Sequence, residues 1–309
     1  MLDILNIVLP VFVLIGLGYV ARWVGLVTDT VVDSMMRFTI LFLVTALLFG
    51  AIADLDLKAN FDGAMLGSYY AAGFACFCAG LLGARHLFGR PWEDSVVIGF
   101  GSLFANSLML GLPIAERAFG AESLGGNFAI ISVHSLFAYG VGITAMEIVK
   151  ARGKSFFATV TTVLNGMVSN ALVLAIAAGF AVNLSGITLP TAIDDSIDLL
   201  SQAALPTALF AIGGVLRRYR PEGDLRVVLY ICALSLGLHP ALAYALGSQF
   251  DISQDNVRSM ITTASMAPGV NAYLFANLYG HAKRVAASAV LIGTALSIVT
   301  VSCWLLILQ

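Results

Sequence analysis

The chain is written almost entirely in apolar runs about 20 residues long, each closed by a short polar or charged connection. A run of that length crosses the hydrocarbon of a bilayer as one α-helix. In hydrocarbon every main-chain N–H and C=O must find its partner inside the protein. Ten runs fit, with cores at 5–23, 34–53, 64–84, 94–116, 126–148, 156–181, 196–216, 226–247, 256–278 and 285–308. The fold class expected is an all-α integral membrane protein of ten transmembrane helices, a single membrane unit over 1–309. Only 11% of the residues are charged, against roughly a quarter in a soluble domain. The net charge of −2 offers no electrostatic surface for nucleic acid. Asp3, with no basic residue before the first run, reads that run as a retained span. Cys76, Cys78, Cys232 and Cys303 all fall in apolar runs and read as small core residues, with no metal site expected.

Orientation follows from the basic residues in the connections. On the ten-span reading only Lys58, Arg117 and Arg258 fall on one side. Arg22, Arg37, Arg85, Arg90, Lys150, Arg152, Lys154, Arg217, Arg218, Arg220, Arg226, Lys283 and Arg284 fall on the other, which is therefore cytoplasmic. Both termini are expected outside. A missed or extra span would scramble this bias, so it also supports the count.

Two runs carry breaks. Phe104-Ala-Asn-Ser-Leu-Met-Leu-Gly-Leu-Pro113 interrupts the fourth, and Ala267-Pro-Gly-Val-Asn-Ala-Tyr273 the ninth. Pro removes an N–H and Gly loosens the backbone. A weaker echo links the second run, Val44-Thr-Ala-Leu-Leu-Phe49, with the seventh, Pro206-Thr-Ala-Leu-Phe210. Each pair is five spans apart, and five is odd. The two halves would therefore lie in opposite orientations, as an inverted repeat of five helices each, and matched breaks in such halves point to a transporter's binding site.

If both runs unwind at mid-membrane, half-helices restarting near Pro113 and near Asn271 would aim their positive ends at one place. Pro suits the first position of such a helix. Unpaired N–H groups there form an anion site without buried Lys or Arg. The candidate substrate-binding residues are Asn106, Ser107, Gly111, Pro113, Pro268, Gly269, Asn271 and Tyr273. The plainer alternative for either Asn is a helix-breaking cap with no ligand. His134, followed by Ser135, and His239, followed by Pro240, are the ionisable residues deepest in the spans. A histidine can exchange a proton near neutral pH, so both are candidates for coupling. A neutral His239 bonded to a backbone carbonyl beside a Pro kink is the plainer reading. Thr45 and Thr207, in the second and seventh runs, are further candidates for substrate or coupling. No cofactor is expected. A proton is the preferred coupling ion because no acidic residue stands where a sodium cage would use one; neutral oxygens could still build such a cage. No Gly-x-Ser-x-Gly, His-Glu-x-x-His or intramembrane Asp pair suggests an enzyme.

Asn106…Gly111-Leu-Pro113-Ile, Ala267-Pro-Gly-Val-Asn-Ala-Tyr-Leu-Phe-Ala276, Ala204-Leu-Pro-Thr-Ala-Leu-Phe210 and His239-Pro240 together resemble the auxin efflux carrier family over essentially the whole chain. The resemblance is nearest to bacterial members, malonate carriers among them. It implies an inner-membrane secondary carrier with two broken crossover helices and a fold shared with bile-acid symporters and sodium/proton antiporters. It further implies a scaffold region, residues 1–58 and 155–222, that also makes a homodimer contact. A transport region, residues 59–154 and 223–309, would move against it as an elevator. The crossover residues carried over are Asn106, Gly111, Pro113, Pro268 and Asn271. The chain departs from many relatives at Val44 or Thr45, where they have a Pro, and it shows nothing resembling the long cytoplasmic loop of the plant members. The expected substrate is a small organic anion such as malonate. An auxin-like aromatic carboxylate, sodium coupling, and a receptor that binds without transport are the alternatives.

Overall fold

The computed structural model describes residues 2–150 and 170–308. Arg152, Lys154, the opening stretch of the sixth run (156–181) and the expected boundary at 154–155 lie outside them. The described residues are helical and contain no strand. Seven helices are long and apolar enough to cross a membrane: α1 (Ile4–Trp23 of Leu2–Trp23), α2 (Asp29–Ala53), α3 (Gly63–His86), α6 (Gly125–Lys150), α8 (Thr191–Leu216), α9 (Leu225–Gly247) and α12 (Lys283–Leu308). Between them stand two interrupted helices, α4 (Trp92–Leu103) with α5 (Leu112–Phe119), and α10 (Gln254–Ala264) with α11 (Val270–Tyr279). A shorter apolar helix, α7, covers Ala171–Ser185.

Helix ends fall where side chains can serve the first free N–H groups. Thr28 accepts from the Val31 N–H, Asp62 from Ala64 and Met65, Asp224 from Arg226, and Ser253 from Asn256. Gly186 and Gly280 close α7 and α11 in the left-handed region, which glycine enters without a Cβ penalty. Prolines inside helices leave a carbonyl four residues earlier without its N–H. Pro10 frees the Asn6 carbonyl, and the Arg117 guanidinium donates to it and to the Ile7 carbonyl at 3.2 and 2.9 Å. Pro240 frees the Leu236 carbonyl, and the Trp304 indole N–H donates to it at 3.3 Å.

The described residues divide into two compact units, one of 2–9, 61–150 and 219–308, the other of 10–60 and 170–218. In the second, α1 and α8 approach through Gly18 and Gly213. A Cβ on either would strike a main-chain carbonyl of the facing helix, that of Phe210 or Ile15. Small residues that let backbones meet are how helices pack without a hydrophobic drive between them. The amide of Asn183 donates to the Ile52, Ala53 and Leu55 carbonyls and so caps the end of α2. At one end of it Arg218 pairs with Asp29 and Asp33, and Arg22 with Asp29.

In the first unit α3 packs along α4, with Gly80 and Gly99 at the contact. Asn127 on α6 donates to the Thr263 hydroxyl on α10 at 2.9 Å and accepts from Ser259 at 2.8 Å. Among the described residues, no buried polar side chain is Asp, Glu, Lys or Arg. The interior is therefore formally uncharged, as a low-dielectric medium requires of unpaired groups. The expectation of four core cysteines is corrected in one case: Cys303 of α12 is exposed.

Candidate functional site

The site belongs wholly to the first unit. α4 stops at Leu103 because Phe104 leaves the helical region, with ψ at 89°. α10 stops at Ala264, and α11 opens after an extended Gly269, with ψ at 161°. The two freed segments pair with one another. The Asn106 N–H donates to the Ala267 carbonyl at 2.8 Å, and the Gly269 N–H donates to the Phe104 carbonyl at 2.9 Å. Ala105 and Pro268 thus face each other as one antiparallel bridge. Pro268, which has no N–H, sits at the one place in this exchange that asks for none. The Ser235 hydroxyl donates to the Met266 carbonyl at 3.1 Å and serves a further freed group. Backbone that leaves its helix at membrane depth is hereby satisfied inside the protein.

Glycine makes the approach close enough. A Cβ on Gly293 of α12 would lie 2.8 Å from the Pro268 ring, and one on Gly111 would lie 3.1 Å from Met266. Gly111 therefore acts behind the crossing, as a seat for the other break.

One expectation is corrected. Helical backbone resumes at Ser107 and not near Pro113, through a wide turn over Ser107–Gly111. The Asn106 carbonyl accepts from both the Leu110 and the Gly111 N–H, at 3.2 and 3.0 Å, and this widens the turn. Pro113 follows as the second residue of α5, buried and away from the start. The free N–H groups that face the crossing are those of the Ser107 turn and of Val270 and Asn271. No side chain caps either start.

The other candidates divide. Asn106 and Ser107 are buried at the crossing, while Asn271 is half-buried. The Tyr139 hydroxyl donates to the Asn271 Oδ1 at 3.4 Å, which turns the amide N–H pair the other way. His134 lies against the first break, its ring 4.7 Å from that of Phe104. Ser135 follows it, half-buried. His239 is wholly buried, and its Nε2 donates to the Tyr69 carbonyl at 3.4 Å. Tyr273 is not brought to the crossing. Two residues along a helix turn it roughly 200° from Asn271, and its ring lies tilted against that of Tyr219, with centroids 4.9 Å apart. Thr45 and Thr207 belong to the second unit. The Thr45 hydroxyl is engaged by the Leu41 and Phe42 carbonyls of its own helix.

Sequence reasoning missed Tyr69, Tyr139 and Ser235. Tyr69 stands between Ser68 and Tyr70, Tyr139 is followed by Gly140 in an unbroken helix, and Ser235 lies between two leucines, so nothing in the neighbouring letters ties any of them to a break. Only helix rotation puts them against a break.

Chemically, the crossing offers uncapped N–H groups at two helix starts, two Asn side chains and no formal charge. Such a place favours a small anion through dipoles and neutral donors. Membrane-length helices carrying this paired interruption define a multi-pass membrane transporter.

The chain belongs to the auxin efflux carrier family: the family model described as "Membrane transport protein" matches residues 3–305. It is similar, at 27% identity over 98% of this chain and 95% of the other, to a protein of Rhizobium meliloti (strain 1021) whose name provisionally assigns it malonate transport. It is also 22% identical, over 97% of both chains, to an uncharacterized transporter of Methanocaldococcus jannaschii.

Proposed function

We propose that the protein is a secondary carrier for a small organic anion, a malonate-like mono- or dicarboxylate, coupled to protons. The observation that carries this reading is the main-chain pairing of the two breaks, which leaves uncapped helix starts and the Asn271 amide at one uncharged place. A carboxylate would take N–H donors from the Ser107 turn and from Val270 and Asn271, with Asn106 beside them. Each bond is modest, which suits a carrier that must release its cargo. The name of the Rhizobium relative supports malonate as the first substrate to try.

The architecture proposed with it has ten spans in two inverted five-helix repeats. They are the seven long helices, the two interrupted pairs and the helix that includes α7. The region with the crossing, residues 59–154 and 223–309, would be the moving transport region. Residues 1–58 and 155–222 would be the scaffold and the dimer contact. Elevator-like movement would expose the crossing to each side in turn. The membrane would be the bacterial inner membrane, with both termini periplasmic.

The test is uptake of labelled malonate into proteoliposomes. Wild type is expected to accumulate malonate under an inward pH gradient and not under a sodium gradient alone. Asn271→Ala loses uptake, while the exposed Lys58→Ala keeps it. If no small carboxylate binds or moves under any gradient, the substrate class is wrong. Binding without flux would make the protein a receptor.

A further inference from the structure

His134 and His239 flank one side chain. The Tyr69 hydroxyl meets His134 Nδ1 at 3.4 Å, and the Tyr69 carbonyl meets His239 Nε2 at 3.4 Å. The Tyr69 ring lies 5.9 Å from the first imidazole and 5.0 Å from the second. All three residues are at most 2% exposed. A carbonyl can only accept, so His239 carries its hydrogen on Nε2 and presents Nδ1 as a bare lone pair. That Nδ1 is buried and has no hydrogen-bond partner, and neither has His134 Nε2. Buried polar atoms are nearly always paired, and each exception calls for an occupant or a cost.

Both histidines are wired to the crossing. His134 packs on Phe104 and faces the Ala105 carbonyl, so it stands on the first break. His239 follows Ser235 by one helical turn, and Ser235 holds the Met266 carbonyl of the second break. His239 also lies beside Leu103, the last residue of α4, in the space that a Cβ on Gly73 would enter. The titratable groups that lie against the pair are Tyr69 of α3 and the two imidazoles themselves, with Tyr70 against Tyr69 and Tyr139 of α6 against Phe104. No Asp, Glu, Lys or Arg among the described residues is buried with them. The charge most able to change near the pair is therefore that of an anion in the crossing.

The geometry points to a buried site for a single proton, shared by His134 and His239 across Tyr69, that fills when an anion occupies the crossing. The inference rests on the carrier reading above and adds the place and number of the coupled protons. An imidazolium in an uncharged interior is unfavourable alone and is favoured by a negative charge beside it. Two imidazoles on one tyrosine repel as a doubly charged pair, so the pair titrates as a unit and takes one proton. Linkage is reciprocal: the anion raises the affinity for the proton, and the proton raises the affinity for the anion. Empty, the pair is neutral. Loaded, it cancels one negative charge of the cargo within the transport region.

The experiment is proton uptake on adding malonate to the purified full-length protein in weakly buffered detergent solution, with affinity measured from pH 5 to 8. Wild type is expected to take up close to one proton per malonate bound, beyond any taken by free malonate. Its affinity should tighten up to tenfold per unit fall in pH. His134→Gln and His239→Gln are expected to bind malonate with no such uptake and with an affinity that no longer follows pH. Wild-type binding without proton uptake overturns the proposal and leaves the carrier reading intact, whether or not the variants fold. Uptake preserved in both glutamine variants overturns it as well. If wild type binds neither malonate nor any other three- to five-carbon dicarboxylate, the substrate reading falls, and this proposal falls with it.

Discussion

Asn106 and Asn271 can be picked out from the letters because each stands beside helix-breaking residues in an apolar run. Tyr69 cannot, since nothing local distinguishes it from an interfacial tyrosine; only the packing of α3 against α6 and α9 sets it between two histidines. Two small features at this level have measurable costs. Gly293→Ala puts a Cβ 2.8 Å from the Pro268 ring. Overpacking of this kind costs about 1–3 kcal/mol, so the variant is expected to melt at a lower temperature in detergent and to bind malonate more weakly. Trp304→Phe keeps most of the ring and removes the donor to the Leu236 carbonyl. A buried acceptor left unpaired costs about 1–3 kcal/mol. Its melting temperature should fall, while malonate affinity stays near that of wild type, because the lost donor serves the Leu236 carbonyl and neither break.

The span limits are readable because apolar runs and capping residues coincide: the expected 64–84 is observed as Gly63–His86, and 285–308 as Lys283–Leu308. The wide turns at Thr39–Leu43, Ser107–Gly111 and Leu234–Leu238 are not. One extra residue per turn rotates a helix without disturbing the run of apolar letters, so periodicity carries no trace of it. That is why the sequence points to a restart near Pro113, whose ring is the visible signal, and the helix resumes at Ser107 instead. Where α2 ends beside the start of α8, Asp54 is exposed near Asp194 and Asp198. Partial burial first, and then those two carboxylates, push its carboxyl above the usual carboxylate range. A carboxyl whose folded value lies above its unfolded value destabilises the fold once pH has risen through the folded value. It costs nothing below the unfolded value, near 3.9. Asp54→Asn should therefore raise the melting temperature at pH 7, by an amount that fades as the pH is lowered toward 3. A gain that persists at pH 3 would assign the effect to something other than charge.

Each compact unit of the molecule draws on both halves of the chain. The apolar runs can announce helices, and the matched breaks can announce a crossing, but which helices pack together is written in faces and not in runs. Gly18 with Phe210, and Gly80 with Gly99, are such faces. Orientation is a property of the whole chain and has a direct test. Lys58→Cys and Arg220→Cys, each at an exposed position, would be made in a background with the four native cysteines changed to serine. An impermeant maleimide should label the first on intact spheroplasts and the second only after the membrane is opened. The reverse pattern would invert the assigned topology.

The crossing is tied by main-chain groups, between Asn106 and Ala267 and between Phe104 and Gly269. Its frame therefore rests on groups that nearly every residue carries, provided Gly293 and Gly111 leave room for the approach. On the proposed reading, substitutions at the rim, such as at Tyr139 or Asn271, would change the diet of the carrier without asking it to relearn how to fold.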